Sequence, residues 1–320
     1  MHPVPPELLT GPFTRTMALD LGATPRMLRG QRFVRVHPRV WRHRGHEMTF
    51  DDEVAAARMA LPPDAQTTGI TRIQQLGLDV GPRSPLRFVV SRDLHLDLEG
   101  VFLHRTARMP PLDDIGVRPV AAFVAYCALA RAIDAIKVGD WLLHHEHMEW
   151  DELHRLASEN LWRAGADEAL WVLAHLDGDS RSLKESEMRA VLEFAGLEVP
   201  EVNTGASGPD DAGRIGDLVY RRWGLDVEYE GEHHQLDRAQ YLHDIDRYAS
   251  LRRDRVPYVQ VTKEKLDRPR GMVREVYAAL LARGYDGPAP DFGTRWRQLF
   301  SRVSSVVAAE RRWARVGTGR

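Results

Sequence analysis

The sequence predicts a mixed α/β (α+β) protein built from several domains, and three observations carry that reading. The chain has 320 residues, more than one ordinary core accommodates. Residues 1–50 read as two short helices followed by a hairpin, whereas residues 180–285 run helix, strand, strand, helix, strand, helix, the alternation of an α/β layer. Between them, residues 51–178 form a mixed, mainly helical middle domain.

Composition narrows the function classes before any motif is read. Apolar residues make up 43% of the chain and charged residues 28%, with a mean hydropathy of −0.39. That balance belongs to a globular protein rather than a disordered, fibrous or membrane-embedded one. No stretch approaches the ~18 apolar residues of a spanning helix, and MHPVPPELLT has no basic region followed by an apolar core. Neither export nor membrane insertion is expected, and the cytoplasm is the expected location. The single cysteine, Cys127, lies in VAAFVAYCALA, where it reads as a small buried hydrophobe rather than a catalytic thiol. Disulfides and Cys-ligated zinc are thereby excluded.

Each N-terminal element has a local cause. Thr14 can cap a helix running to Leu21, and Gly22 and Ala23 break it. Thr24 followed by Pro25 starts a second helix, because a threonine hydroxyl accepts a first-turn amide and proline lacks only an amide that the helix leaves unpaired. Phe33, Val34 and Val36, then Val40 and Trp41, alternate around Pro38 as the two arms of a hairpin. Helix, turn, helix, hairpin is the order of a winged helix. The net charge of −2 hides an uneven distribution, since residues 1–50 hold Arg15, Arg26, Arg29, Arg32, Arg35, Arg39, Arg42 and Arg44 against Glu7, Asp20 and Glu47. Arg26 and Arg29 on the second helix, with Arg32, Arg35, Arg39 and Arg42 on the hairpin, are the expected DNA contacts.

In the middle domain Asp51–Leu61 and Thr68–Leu76 read as helices, Arg87–Ser91 and His95–His104 as strands, and Pro119–Leu143 as one or two buried helices. His144, His145, His147 and His154 lack the HExxH spacing of a helical zinc site, so a solvated helix end is expected there. Further on, Ser182–Gly196 reads as a capped helix and Asn203–Gly213, rich in Gly, Asp and Ser, as a loop. Ile215–Tyr220 and Leu225–Glu230 read as strands, Leu236–Arg253 as an amphipathic helix, Val256–Val261 as a third strand and Met272–Arg283 as a closing helix. Residues 286–320 add a helical tail.

The stretch GDLVYRRWGLDVEYEGEHH, residues 216–234, carries the chemistry. Asp226, Glu228 and Glu230 alternate with Val227 and Tyr229, so a strand puts three carboxylates on one face. A hairpin through Arg222–Gly224 brings Asp217 beside Glu228. Carboxylates crowded on one sheet repel unless a hard cation neutralises them, and a magnesium site explains them better than a solvated edge strand. Mg²⁺ takes oxygen ligands and keeps several waters, so Asp217, Glu228 and the Tyr229 carbonyl suffice, leaving positions for a phosphate oxygen and a water. Mn²⁺ is the expected substitute. Glu185 on the preceding helix extends the site. His233 and His234, after a turn at Gly231, are expected to donate protons or bind the phosphate.

Glu185 in ESEMR, then GLEVPEVN, Asp217, EYEGEHH and a helix containing HDIDR together resemble the PD-(D/E)XK nuclease superfamily, and within it the very-short-patch-repair-like (Vsr-like) endonucleases. The resemblance spans residues 180–285. It implies a restriction-endonuclease-like α/β domain that hydrolyses DNA phosphodiesters, with Asp217, Glu228, Glu230 and Glu185 as catalytic residues. The superfamily's lysine, two residues after the second acid, is Glu230 here; Lys263 and Lys265 stand on a later strand end, and Arg247, with Asp244 and Asp246, is another source of positive charge. Residues 1–50, with HPRVW in the hairpin, resemble the winged-helix module of AbiEi-type antitoxins, which implies operator DNA and a partner toxin of unknown identity.

Two functions compete. One is a DNA-directed, divalent-metal-dependent endonuclease. The other is a non-catalytic DNA-binding transcriptional regulator, or a type IV antitoxin-like protein, that keeps a decayed nuclease fold as scaffold. Asp217, Glu228 and Glu185 together favour the enzyme, because crowded carboxylates are costly to retain, and the missing lysine favours the regulator. RNA in place of DNA is a third reading.

Overall fold

The computed structural model describes residues 4–94, 96–205, 215–230 and 257–317. Among them are thirteen α-helices and three small sheets, so the protein is mixed α+β. The chain divides into two compact units, Met1–Ala125 and Tyr126–Arg320, a boundary that falls inside the segment read as a middle domain.

In the first unit, β1 (Phe13–Thr14), α1 (Arg15–Asp20), α2 (Pro25–Leu28), β2 (Phe33–His37) and β3 (Val40–His43) follow in order. Both threonine caps form: Thr14 Oγ1 accepts from the Met17 amide at 3.2 Å and Thr24 Oγ1 from the Met27 amide at 3.3 Å. The sequence reading missed β1, a two-residue strand that pairs antiparallel with β3 and gives the order β1-β3-β2. Leu8, Phe13, Ala18, Ala23, Leu28 and Phe33 close a core beneath these elements. There follow α3 (Phe50–Ala60), β4 (Gln66–Thr67), α4 (Gly69–Gln74), β5 (Leu86–Val90) and β6 (Val101–Arg105). Thr49 and Asp52 form a capping box at the start of α3. The strand expected over His95–His104 starts later, at Val101, behind a bridge from Leu98, and His95 lies outside the described residues.

Helix α5 (Pro119–Cys127) leads into the second unit, where α6 (Ala132–His144), α7 (Trp150–Ser158), α8 (Ala166–Leu173) and α9 (Leu183–Phe194) precede a four-stranded sheet. Cys127 is buried, and burial, with Glu168 adding to it, pushes its thiol well above the ordinary range. The sheet holds β7 (Glu201–Gly205), β8 (Ile215–Tyr220), β9 (Leu225–Glu230) and β10 (Tyr258–Thr262) in the order β10-β9-β8-β7, with β9 and β10 parallel. Strand β7 takes Asn203–Gly205 out of the loop expected over Asn203–Gly213: Val202 pairs with Leu218 and Thr204 with Gly216, so the ladder with β8 overrides a loop-like composition, and the rest of that segment lies outside the described residues. Helices α10 (Lys263–Leu266), α11 (Pro269–Leu281), α12 (Thr294–Leu299) and α13 (Val303–Gly317) follow. The tail is two helices rather than one, because the chain breaks at Ser301–Val303 to bond residues 130–132: Ala132 donates to the Ser301 carbonyl and Val303 to the Ala130 carbonyl. The helix expected over Leu236–Arg253, with Asp244, Asp246 and Arg247, lies outside the described residues.

Helix α9 is buried along almost its whole length, packed by α6, α11, α12 and β8, yet it carries Glu185, Arg189 and Glu193 four residues apart. A buried polar stripe needs partners. Arg189, 2% exposed, donates to Asp140 Oδ2 on α6 at 2.8 Å and to the His175 carbonyl at 2.8 Å. The other Asp140 oxygen accepts from the Asp177 amide at 2.7 Å. Glu193 accepts from Arg295 at 3.1 Å and bonds His175 Nδ1 at 2.7 Å.

Burial pushes the Asp140 carboxyl up to about 6 from its ordinary 3.8, against the pull of Arg189. A carboxyl raised in the folded state gives stability that is complete below the unfolded value and is lost as the pH climbs through the folded one. Between about pH 4 and pH 6 the wild type should therefore lose on the order of 3 kcal/mol relative to Asp140→Asn, read from denaturant melts at several pH values. A pH-independent difference would show an ordinary Asp140. Arg189→Met, which takes the guanidinium from the buried Asp140, should cost about 3–5 kcal/mol at neutral pH.

Candidate active site

The site starts at the first turn of α9. Ser182 Oγ accepts from the Glu185 amide at 3.2 Å, and Glu185 Oε2 reaches back past the cap to accept from the Arg181 amide at 2.9 Å. The same Oε2 accepts from Asn203 Nδ2 on β7 at 2.7 Å. Asn203 also donates to the Asp179 carbonyl at 2.6 Å, and it adopts a left-handed backbone, φ 48°, which asparagine tolerates better than other side-chain-bearing residues. It sits in a ladder irregularity, between the Val202–Leu218 and Thr204–Gly216 pairs. Glu185 is thus gripped through a single oxygen in a nearly buried position.

Strands β8 and β9 form the predicted hairpin, turning through Arg221–Trp223 and a left-handed Gly224 (φ 58°). Their ladder pairs Tyr220 with Leu225, Val219 with Asp226 and Leu218 with Val227. The next residues along the two strands are Asp217 and Glu228. There the ladder opens, and Asp217 Oδ2 takes the place of a backbone acceptor, receiving the Tyr229 amide at 2.8 Å. Gly216 is tightly covered, since a Cβ there would lie 2.7 Å from Val219 Cγ2 and 3.4 Å from Asp226 Oδ2. Asp226 and Glu228 are fully buried, at 0% and 1% exposure, and Glu230 at the strand end is exposed. Across the parallel pair, Gln260 stands in register with Glu228 and donates to Glu230 Oε2 at 2.7 Å.

Four strands therefore bring Asn203, Asp217, Glu228 and Gln260 to one level of the sheet, with Glu185 joined through Asn203. Of the residues expected here, Asp217 meets Tyr229, through its amide rather than its carbonyl, and Glu228 is the residue before Tyr229 on β9. Glu230 is engaged by Gln260. Lys265 is tied to the Gln260 carbonyl at 2.8 Å and Glu275 at 2.7 Å. His233 and His234 lie outside the described residues. Among the described residues no group of three or more His, Cys, Asp or Glu side chains is placed to hold a metal. Mg²⁺ does not require one, because one or two carboxylates with waters and substrate phosphate suffice, and the all-oxygen donors at Asp217 and Glu228 suit it in kind and number. His144 and His145 end α6 beside Trp141, with the His145 and Trp141 rings stacked at 4.4 Å.

In the first unit Arg26, Arg29 and Arg39 are exposed, while Arg35 Nε donates to the His37 carbonyl at 3.3 Å. Arg32 is half-buried. Arg42 turns back on its own hairpin, donating to the His43, Arg44 and His46 carbonyls, the last at 2.6 Å; it braces the fold rather than reaching outward.

Asn203 and Gln260 escaped the sequence reading. A signal for the first was an asparagine just where a strand turns into a Gly-rich run, the side chain that best accepts a positive φ. Asn203→Ala should destabilise the protein by about 1–3 kcal/mol through backbone strain and the lost bonds, and Asn203→Gly should recover about 1 kcal/mol of that. Denaturant titration of the two variants measures the difference, and equal stabilities would remove the strain argument.

No protein-family model matches the chain, and neither curated proteins nor solved structures provide a significant match.

Proposed function

We propose that the protein is a DNA-directed, divalent-metal-dependent endonuclease. The observation that carries this reading is the opened β8–β9 ladder, where Asp217 and Glu228 occupy adjacent strand positions with Glu185 held alongside through Asn203. A carboxylate buried as deeply as Glu228, at 1% exposure, is costly in a sheet that serves packing alone. Asp217, Glu228 and the Tyr229 carbonyl would hold Mg²⁺ or Mn²⁺. The bound ion supplies charge neutralisation at a phosphate and a more acidic water. Glu185, with one oxygen committed to Arg181 and Asn203, has its other oxygen to orient a water, and Gln260 fixes the Glu230 carboxylate.

Residues 1–50 serve in this proposal as a winged-helix module, with α2 directed at the duplex and the β2–β3 hairpin as wing. Arg26, Arg29 and Arg39 are its phosphate contacts. The fold we propose for residues 180–285 is restriction-endonuclease-like. A second reading, a DNA-binding regulator on a decayed nuclease scaffold, is favoured by one observation: where a lysine would stand, Glu230 is bonded to Gln260.

Plasmid incubated with the purified protein should be cut in Mg²⁺ or Mn²⁺ and left intact in EDTA, and Asp217→Asn or Glu228→Gln should lower cleavage at least a hundredfold, on the order of ~3 kcal/mol of barrier. Full activity in both variants would sink the nuclease site; no cleavage by the wild type, with DNA binding retained, would select the regulator. For the module, Arg26→Ala and Arg29→Ala should each flatten the slope of log K against log salt by roughly 0.9, measured on duplex DNA in EDTA. An unchanged slope removes the winged-helix proposal.

A further inference from the structure

We infer that the outer face of α11, where Arg270 and Arg274 flank Phe292 and Arg268 precedes the helix, is a second contact surface for the phosphate backbone of duplex DNA. It rests on DNA being the partner in the reading above and extends it to a surface of the second unit remote from residues 1–50 in sequence.

Three features distinguish this face from an ordinary solvated one. First, α11 turns Met272, Val273, Val276 and Leu280 inward, leaving Arg270 and Arg274 one turn apart on the exposed side. Both guanidinium groups lie over the Phe292 ring, at 5.5 Å and 5.6 Å from its centre, and Phe292 is itself set edge-on against Trp296 at 4.9 Å. Stacking on one ring restricts two long side chains before any partner arrives, which lowers the ordering cost of binding.

Second, the charges are placed against the interests of the helix. Like charges four residues apart destabilise a helix, and cations near its N-terminus oppose the macrodipole. The first turn of α11 nevertheless contains no acid, Arg268 is its capping residue and Arg270 follows. Other exposed arginines of this unit do find acids, Arg221 with Glu201, Arg222 with Asp286 and Arg295 with Glu193. Among the described residues Arg268, Arg270 and Arg274 make no ion pair, and the neighbouring Asp267 closes α10. An anionic partner turns each of these unfavourable terms into a favourable one.

Third, the face continues from the candidate active site. Strands β9 and β10 run parallel and end together, Glu230 in register with Thr262. Helix α10 starts at the next residue and α11 directly after it, both packed against β10, so Arg268 and Arg270 come at the same carboxyl edge of the sheet as Glu230. A polyanion on α11 would lie near the strand end that carries Glu230, where the reading above already places a DNA backbone, so duplex DNA fits better than an acidic protein segment.

The test uses the full chain, a short duplex of random sequence and EDTA, so that binding is read without cleavage. Arg270→Ala/Arg274→Ala should flatten the salt slope by roughly 1.8 and weaken binding on the order of tenfold at ~0.1 M salt. Arg270→Lys/Arg274→Lys should keep the slope. Arg83→Ala/Arg92→Ala, which removes the same charge from arginines paired with Asp79 and Asp64, should lose far less. An alanine pair with the wild-type slope, or no weaker than the Arg83/Arg92 control, overturns the inference while leaving DNA as the partner if Arg26→Ala still flattens the slope; the nuclease reading is decided separately by the cleavage assay. A wild type that binds no duplex at any salt overturns both the inference and the DNA partner on which it rests.

Discussion

The second unit depends on the Arg189–Asp140 ion pair. Both partners are sealed from water, at 2% and 0% exposure, and neither tolerates that environment alone. Arg189 pins α9 to α6 on one side and to the His175–Asp177 backbone on the other. Glu193, one turn on, draws Arg295 and His175 into the same network. Buried networks of this kind specify geometry more than they add stability. What they specify here is the rotation and height of α9, because a fixed guanidinium allows no slippage along the helix axis.

That constraint reaches the candidate site through one turn of helix. Glu185 precedes Arg189 by four residues and so lies on the same side of α9, held by its own capping contacts and by Asn203. The sheet supplies the opposing wall, through a ladder that opens where Asp217 takes the Tyr229 amide. Helix and sheet thus meet through side chains that are themselves strained or buried, Asn203 at positive φ and Glu228 within the layer. A junction assembled from such residues is rigid and locally costly.

Much of this was legible in the amino-acid order. Thr14, Thr24 and Ser182 announced their helices because capping is a contact across three residues, and the alternation of Asp226, Glu228 and Glu230 announced a strand because the pleat has period two. The hairpin that brings Asp217 toward Glu228 was readable from Gly224 and flanking apolar residues. What escaped depends on residues distant along the chain. Arg189 stood in the ESEMR motif, but its partner is 49 positions away. Strand β7 was hidden by loop-like composition and exists because β8 offers it a ladder. Gln260 looks ordinary until the parallel register sets it across from Glu228, and Arg42 looked like a DNA contact until its guanidinium was seen to fold back on three carbonyls.

The burial of Cys127 has a practical side. With its only thiol sealed in the core and its ionisation suppressed, the native chain is inert toward maleimides and other thiolate-directed reagents. A cysteine introduced on the exposed hairpin or on α11 would then be the sole reactive handle, without the prior removal of a native residue from a packed position. Spectroscopic probes attached in pairs, one to each unit, would report the separation between the basic hairpin and the carboxylate-bearing sheet with and without nucleic acid.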